Sequence, residues 1–325
     1  MILEEKYIQN ILFDKNFSVN HSKINYEKII KFLSRNLLIP AFYSKIKRTA
    51  EANIAPKEFI DYVRYIYKTN QYRNRKLVSE TEEIENILIE NKIEYNFIKG
   101  AALIKEEVFE NLAERMVGDI DILIKNNQLT EAINLFLKLG YNSKKEMTKI
   151  WYKRHYPKLL RPNKVFAIEL HKSITDDVLK AETIILKKSN IKCKINFLID
   201  VCILNSELND FGYLKAVVYY KSAYDFKNLI KLTKSNYSNK NLYTKRFLQK
   251  LNSIGLYDKS LQKNFWDEIY LRRFILKREI KLYYYFDNLI CDIIIVTRKR
   301  INQIKEFLFN KNYRTYVLEK LSNYF

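Results

Sequence analysis

Glycine and proline are scarce in this chain, with five and four occurrences in 325 residues. These residues dominate tight turns, so the chain is poor in turn formers. Leucine, lysine and glutamate are abundant, and these residue types favour helices over sheets. The chain is therefore expected to be largely helical. Its hydrophobic content of 47% is enough for one sizeable domain or two smaller ones.

Cysteine and long apolar runs are also lacking. The three cysteines, Cys193, Cys202 and Cys291, show neither disulfide nor zinc spacing, so we interpret them as small buried apolar residues. No apolar run approaches the length of a membrane span. The charged segment Glu4–Lys6 stands where a signal peptide would carry its apolar stretch. We expect a cytoplasmic protein that makes no membrane contact.

Acidic residues are too few to balance the basic ones, and the net charge is +21. One interpretation is compositional, since Lys, Asn, Ile and Tyr are all abundant, as in an AT-rich coding sequence. The other is a polyanionic partner such as RNA. Between Lys138 and Lys164, nine basic residues face a single acid, Glu146. Both interpretations stay open. The basic residues of this segment are Lys138, Lys144, Lys145, Lys149, Lys153, Arg154, Lys158, Arg161 and Lys164.

The pattern of apolar residues predicts an α/β (α+β) centre at residues 93–175, between helical regions at 1–92 and 176–325. Residues 24–38 and about 57–92 are predicted helices. Within the centre, the predicted strands are Tyr95–Ile98, Ile120–Ile124, Lys149–Tyr156 and Val165–Leu170. The predicted helices there are Ala101–Leu112 and Leu129–Leu139, the second closed by Gly140 as a carboxy-terminal cap, and Pro157 and Pro162 mark the link between the last two strands.

Two acids, Asp119 and Asp121, flank one position at the start of a predicted strand. Residues two apart on a strand point to the same face, so the two carboxylates should project together. Paired carboxylates repel each other and are costly to desolvate unless a cation sits between them. Oxygen ligands of this kind suit magnesium. The alternative is a strand end whose acids simply face water.

Two further features lie beside this pair in the sequence. Upstream, the strand Tyr95–Ile98 runs into Gly100 and a helix, where backbone N–H groups are able to approach a phosphate. Downstream, Glu169 is the one carboxylate in an apolar strand, and it is a candidate third metal ligand or general base. The alternatives are an ordinary turn and a solvated glutamate.

These motifs together resemble the central stretch of a bacterial nucleotidyltransferase family in the DNA polymerase β-like superfamily. The family pattern is an apolar strand with Lys-Gly-Ala-Ala-Leu, a helix, an Arg before Gly-Asp-Ile-Asp-Ile-Leu-Ile, a second helix with Gly-Tyr, and a later Glu-Leu-His strand. The matching segments here are Phe97–Leu103, Arg115, Gly118–Ile124, Gly140–Tyr141 and Ile168–His171.

The resemblance implies a small mixed-sheet core in which Asp119, Asp121 and Glu169 are the catalytic, metal-binding acids. It further implies two magnesium ions and a nucleoside triphosphate such as ATP as substrate. Lys99, Gly100 and Ala101 would form the phosphate loop. Much of the superfamily has Gly-Gly or Gly-Ser in this loop, whereas Ala101 offers no hydroxyl, so backbone N–H groups would hold the phosphates.

A second, weaker resemblance covers Leu214–Phe226. This segment is similar to a helix of related nucleotidyltransferases, including abortive-infection-type toxins, in which a Lys and a later Asp line the nucleotide pocket. By this resemblance Lys215 or Lys221 would pair with triphosphate oxygens, and Asp225 would orient that lysine. The alternative is an ordinary amphipathic helix. Arg115 is expected to reach a phosphate or to pair with Glu114 or Asp119, and His171 to support the acids rather than catalyse.

Aromatic residues cluster at Tyr283–Phe286, in a long predicted helix that also carries Leu276, Ile280 and Leu289. Their helical spacing favours packing in the core over a surface for stacking nucleic-acid bases. The basic run Arg298–Arg300 is interpreted as a solvated helix face.

The function predicted from sequence is transfer of a nucleoside monophosphate from a nucleoside triphosphate to an acceptor by a two-metal mechanism. RNA, another protein and a small molecule are all candidate acceptors. The alternatives are a catalytically inactive relative that binds nucleotide or RNA, the toxin of a toxin–antitoxin-like pair, and a purely helical interaction protein. No motif identifies a protein partner.

Overall fold

The computed structural model describes residues 3–143, 154–175, 191–233, 241–257 and 264–322. The amino-terminal part is helical, as the sequence predicts. Its helices are α1 Leu3–Phe13, α2 Tyr26–Arg35, α3 Ile39–Ile46, α4 Glu51–Ile54 and α5 Lys57–Glu90.

Helix α5 is the long helix predicted at residues 57–92. It packs on the core through an apolar stripe that includes Phe59, Val63 and Leu88, all buried. Two buried asparagines on the same helix, Asn70 and Asn74, donate hydrogen bonds to the carbonyl oxygen of Arg115. Helix α5 therefore fixes the chain just before the strand that carries the paired acids.

The centre of the molecule is a five-stranded mixed sheet, which confirms the predicted α+β fold class. Its order is β1-β2-β5-β4-β3. Strand β2 runs antiparallel to β1 and parallel to β5, and β4 runs antiparallel to both β5 and β3. The strands are β1 Tyr95–Phe97, β2 Asp119–Ile124, β3 Asn142–Ser143, β4 Leu159–Leu160 and β5 Ala167–His171.

Helix α7, Leu129–Lys138, confirms the predicted helix and its glycine cap. Gly140 has a φ of 84° and donates its N–H to the carbonyl of Leu137. By contrast, helix α6 covers only Lys99–Lys105, and the prediction that it extends to Leu112 is wrong. Glu107 adopts a left-handed backbone conformation, with a φ of 50°, and this conformation ends the helix.

Two strand predictions need correction. Strand β5 begins at Ala167 rather than Val165, because the carboxylate of Glu80 accepts the N–H groups of Val165 and Phe166 and withdraws them from the sheet. Of the predicted strand Lys149–Tyr156, residues 149–153 lie outside the described part. His155 forms only an isolated bridge to His171, and the link predicted around Pro157 and Pro162 contains β4 instead.

The carboxy-terminal part is helical, as predicted. The segment predicted as one helix at 214–226 is two helices, because Ala216 adopts a left-handed φ of 46° between them. The division into regions at residues 92 and 175 stays a prediction. The helices are α8 Ile191–Leu204, α9 Gly212–Lys215, α10 Tyr220–Leu232, α11 Leu242–Ser253, α12 Phe265–Glu279, α13 Lys281–Phe309 and α14 Lys311–Ser322.

The prediction that the aromatic cluster of α13 packs in the core is wrong. Tyr284, Tyr285 and Phe286 are all exposed, because α13 packs on the molecule through the face that carries Asp287, Cys291 and Ile295. Among the described residues, no helix has the length and apolar content needed to cross a membrane.

Candidate active site

The paired acids and the third acid lie on one face of the sheet. Parallel pairing sets Asp121 opposite Glu169, while Asp119 lies two residues before Asp121 on β2. Side chains alternate along a strand, so these three carboxylates share a face and the intervening isoleucines, Ile120 and Ile168, point into the core. The strand alternation that the sequence predicted therefore brings the acids together.

His171 lies on the same face at the end of β5 and ties two of the acids to each other. Its Nε2 is 2.8 Å from Asp121 Oδ1 and 3.4 Å from Glu169 Oε2. Because carboxylates only accept hydrogen bonds, this nitrogen carries the proton. Asp121, Glu169 and His171 each offer a possible ligand atom, and these atoms lie within 4.8 Å of one another. His171 thus contacts both acids, which is the position expected of a residue that supports them.

Two lysine ammonium groups lie against the acids. Lys99 Nζ is 2.5 Å from Asp121 Oδ1. Lys158 Nζ is 2.7 Å from Asp119 Oδ2 and 3.7 Å from Glu169 Oε1. The ammonium groups of Lys99 and Lys158 thus lie where a metal cation would sit among the three carboxylates. Sequence reasoning missed Lys158 as a site residue, because only the pairing of β4 with β5 brings it beside Glu169.

The surroundings of the acids favour their charged forms. Burial opposes ionisation of Asp121, but the hydrogen bond from His171 and the charge of Lys99 outweigh burial and hold its pKa well below the usual range. The pKa of Glu169 is lowered in the same way, with the hydrogen bond from His171 overcoming burial. The hydrogen bond to Asp119 raises the pKa of Lys158. At neutral pH the site is a set of carboxylates able to bind a cation.

The Lys99–Gly100 turn positions one of these lysines. Lys99 has a φ of 53°, a left-handed conformation that costs about 1–3 kcal/mol for a residue with a side chain. Gly100 is packed closely, since a Cβ there would lie 3.0 Å from Cγ2 of Val117. The glycine therefore lets α6 approach the segment that leads into β2.

We expect Gly100→Val to destabilise the fold by about 1–3 kcal/mol, because its Cβ would overpack against Val117. Urea unfolding measures the change. Gly118→Ala is the matched control, since a Cβ at Gly118 meets nothing within 4 Å. Unfolding free energies that are equal for the two variants would contradict the packing role of Gly100.

A second cluster joins the start of β2 to helix α10. Arg115 Nε lies 2.8 and 3.0 Å from the two carboxylate oxygens of Asp225, and both side chains are buried. The predicted pairing of Arg115 with Glu114 or Asp119 is therefore wrong. Glu114 instead accepts hydrogen bonds from Ser44 and Tyr224.

Lys221 lies beside this ion pair. The positive charge of Arg115, together with burial, lowers the pKa of Lys221. Within the described residues, Lys221 forms no hydrogen bond or ion pair. A cavity of about 50 Å³ is lined by Lys99, Arg115, Lys221 and Asp225, among others. Arg115 and Lys221 place two cations at this cavity against the carboxylate of Asp225, while the ammonium group of Lys99 is already paired with Asp121.

Lys215, the other candidate lysine, lies elsewhere. Its ammonium group pairs with Asp292 of α13 at 2.8 Å, and it lines a different cavity together with Phe274 and Lys277. The structure therefore brings Lys99, Arg115, Lys221 and Asp225 together and does not bring Lys215 to them. The loop residues Gly100 and Ala101 are both buried.

Comparison with known proteins gives one match. The model of a family described as uncharacterised nucleotidyltransferase matches residues 22–192, a range that covers the whole sheet and more than half of the 325 residues. No curated protein and no solved structure matches the chain. The matched range includes all three acids as well as Lys99, Arg115 and Lys158. The chain therefore belongs to this family of uncharacterised nucleotidyltransferases.

Proposed function

We propose that this protein transfers a nucleoside monophosphate from a nucleoside triphosphate to an acceptor hydroxyl, at divalent metal ions held by Asp119, Asp121 and Glu169. The observation that carries the proposal is the parallel register that sets Asp121 opposite Glu169, with Asp119 on the same face. Three carboxylates on one face of the sheet repel each other unless positive charge lies among them, and a divalent cation would supply that charge in place of the ammonium groups of Lys99 and Lys158.

The residues on this face fit a magnesium site. Carboxylate oxygens are the ligands that magnesium prefers, and the ammonium groups of Lys99 and Lys158 lie on those oxygens in the structure. When bound, two magnesium ions would neutralise the phosphate oxygens and increase the reactivity of the acceptor oxygen. His171 holds Asp121 and Glu169 in place through its Nε2–H.

The chain's own cations account for binding of the triphosphate. Lys99 lines the cavity and also contacts Asp121, so it links the acids to the second cluster. Lys221 supplies an ammonium group, and Asp225 orients the guanidinium of Arg115. In the reaction, the bond from the acceptor oxygen to the α-phosphorus forms and the bond to the bridging oxygen breaks. The proton of the acceptor hydroxyl passes to water, and pyrophosphate leaves with the electron pair of the broken bond.

The proposal is tested with nucleoside triphosphates labelled in turn at the α- and γ-phosphates. The protein is incubated with magnesium and with fractions of cellular RNA, protein and small molecules. We expect the α-label to enter one fraction and the γ-label to enter none, because only the α-phosphate is transferred. Transfer of the γ-label would show a kinase instead, and labelling of no fraction with any nucleotide would favour an inactive nucleotide-binding relative.

Lys158 occupies the position that a metal ion needs, so we expect the Lys158→Met variant to bind Mn²⁺ more tightly in the absence of nucleotide. The partly exposed ion pair of Lys158 with Asp119 is worth at most about 1 kcal/mol, which corresponds to about a fivefold gain in affinity. Calorimetric titration measures this gain. Lys125→Met is the control, because Lys125 pairs with the exposed Glu94. Weaker Mn²⁺ binding by Lys158→Met would contradict competition between this lysine and the metal.

RNA is the acceptor that the basic segment 138–164 favours. In the structure, Lys158 pairs with Asp119, and Arg161 and Lys164 pair with Glu83, so these cations already have partners within the protein. The RNA proposal therefore depends on the exposed Lys138 and on the four lysines of the segment that lie outside the described residues, namely Lys144, Lys145, Lys149 and Lys153.

We expect RNA binding to weaken as salt rises, because phosphate contacts release counterions. Changing the four lysines to Gln should reduce the slope of log affinity against log salt by about 0.7 for each lost contact with a single strand. Fluorescence anisotropy at several salt concentrations measures the slope. If the wild-type protein binds no RNA at low salt, a protein or small-molecule acceptor replaces RNA.

A further inference from the structure

Helix α13 packs on the rest of the chain through one narrow stripe. Its buried residues are Asp287, Cys291 and Ile295, which recur every four residues. An α-helix advances 100° per residue, so the opposite face of α13 lies half a turn away from this stripe. That opposite face carries large apolar side chains that are between 56 and 79% exposed. These five residues, which we name the outer seam, are Leu282, Phe286, Leu289, Ile293 and Val296.

The outer seam has the spacing of a coiled-coil interface. Its residues follow one another at intervals of four, three, four and three, which is the alternation of a and d positions in a heptad repeat. Tyr285 and Ile290 border the seam and are also exposed. Among the described residues, nothing buries this face.

The apolar area that this face exposes is close to the area that one partner buries in a protein–protein interface. Seven large apolar side chains, each roughly half exposed, present on the order of 700 Å². This is more than the roughly 300–600 Å² of the largest patch on a typical monomer, and it is close to the roughly 800 Å² that each partner buries in a standard interface. An exposed seam of this size is large enough to form one side of an interface.

The charges of α13 favour a second copy of the same chain as the occupant. From residue 282 to 296 the only charged residues are Asp287 and Asp292, and both are paired within the chain, Asp287 with Arg273 and Lys277 and Asp292 with Lys215. The seam therefore presents no net charge that would select an acidic or a basic partner. A neutral apolar seam fits a copy of itself.

We propose that α13 pairs with α13 of a second copy in antiparallel orientation, with the two-fold axis near residue 291. In this alignment Leu289 packs on the partner's Ile293, and Phe286 packs on the partner's Val296. Arg300 lies four residues after Val296 and continues the line of the seam. In the dimer it would meet the apolar amino-terminal end of the second copy's α13, where Tyr285 of that copy offers a ring to the guanidinium. A parallel pair would set Arg300 against its own copy, and like charges at that position repel each other.

The proposal is tested by sedimentation equilibrium of the full chain at micromolar concentration. The wild-type mass is expected to be twice the 39.2 kDa of one chain. Leu289→Glu combined with Ile293→Glu should reduce the mass to that of one chain without lowering the melting temperature, since both side chains are exposed. The matched control is Tyr65→Glu on α5, which is also an exposed position and should leave the dimer intact.

Orientation is tested by cysteine cross-linking. A variant with both Phe286→Cys and Val296→Cys should form an oxidised dimer, whereas Phe286→Cys alone should not, because antiparallel pairing separates its two copies. Cross-linking of the single variant would overturn the orientation. A wild-type protein that is a monomer would overturn the proposal. This holds even if the outer seam of that monomer binds vesicles of phosphatidylglycerol and phosphatidylcholine. A dimer that survives both Glu substitutions would overturn it as well.

Discussion

Replacing Asp121 by Asn is expected to abolish nucleotidyl transfer while the protein stays folded. Asp121 is buried between Lys99 and His171 and faces Glu169 across the parallel strands. Changing a residue that only supports a metal ligand costs about 10–100-fold in affinity or activity, so loss of a ligand itself should cost more than about 100-fold. The asparagine oxygen still accepts hydrogen bonds from both neighbours, which preserves the local structure.

The rate of label transfer at saturating nucleoside triphosphate measures this loss, and circular dichroism verifies the fold. Glu94→Gln is the control, since Glu94 is an exposed acid that pairs with Lys125 at the surface. Asp119→Asn and Glu169→Gln should lose activity as Asp121→Asn does. An Asp121→Asn variant that keeps more than a tenth of the wild-type rate would show that this carboxylate does not hold a metal ion.

Replacing Arg115 by Met is expected to reduce the free energy of unfolding by about 3–5 kcal/mol, because the change leaves the carboxylate of Asp225 buried without its partner. The pair links the chain before β2 to helix α10 across 110 positions of sequence. Urea unfolding measures the loss. A change of less than about 1 kcal/mol would contradict a structural role for the pair.

The double variant Arg115→Met with Asp225→Leu separates the structural role from the nucleotide-binding role. Replacing both partners of a buried ion pair with apolar residues is often neutral for stability, so this variant should regain most of the lost free energy. Its affinity for nucleoside triphosphate should stay below that of the wild-type protein, because the guanidinium charge is gone. Recovery of both stability and nucleotide affinity would show that Arg115 does not contact the phosphates.

The strand that carries Asp119 and Asp121 was predictable because its evidence is local. Asp119 and Asp121 stand two apart in a strand, and a period of two fixes which side chains share a face. Glu169 was a candidate as the one carboxylate of an apolar strand, but its place beside Asp121 depends on the pairing of β2 with β5, which no local pattern sets. Lys158 was missed because a lysine in a basic segment carries no local sign that it contacts acids.

The predictions that were wrong outside the site also failed because of contacts and surroundings that no local pattern shows. Strand β5 starts late because Glu80, distant in sequence, binds two of the N–H groups of the segment. The aromatic residues of α13 have the helical spacing of a core face, but periodicity identifies an apolar face without showing what covers it. In the structure, the stripe centred on Cys291 is buried instead, and Phe286 is exposed.

We propose that Asp119, Asp121 and Glu169 hold divalent metal ions against a triphosphate. The most direct measurement is anomalous diffraction from crystals grown with Mn²⁺ and a non-hydrolysable nucleoside triphosphate. We expect manganese peaks at metal–ligand distance from the three carboxylates, about 2.0–2.1 Å if manganese takes the place of magnesium, with Lys158 displaced from Asp119. Crystals that contain the nucleotide but have no manganese at these carboxylates, with Lys158 still bound to Asp119, would contradict the claim.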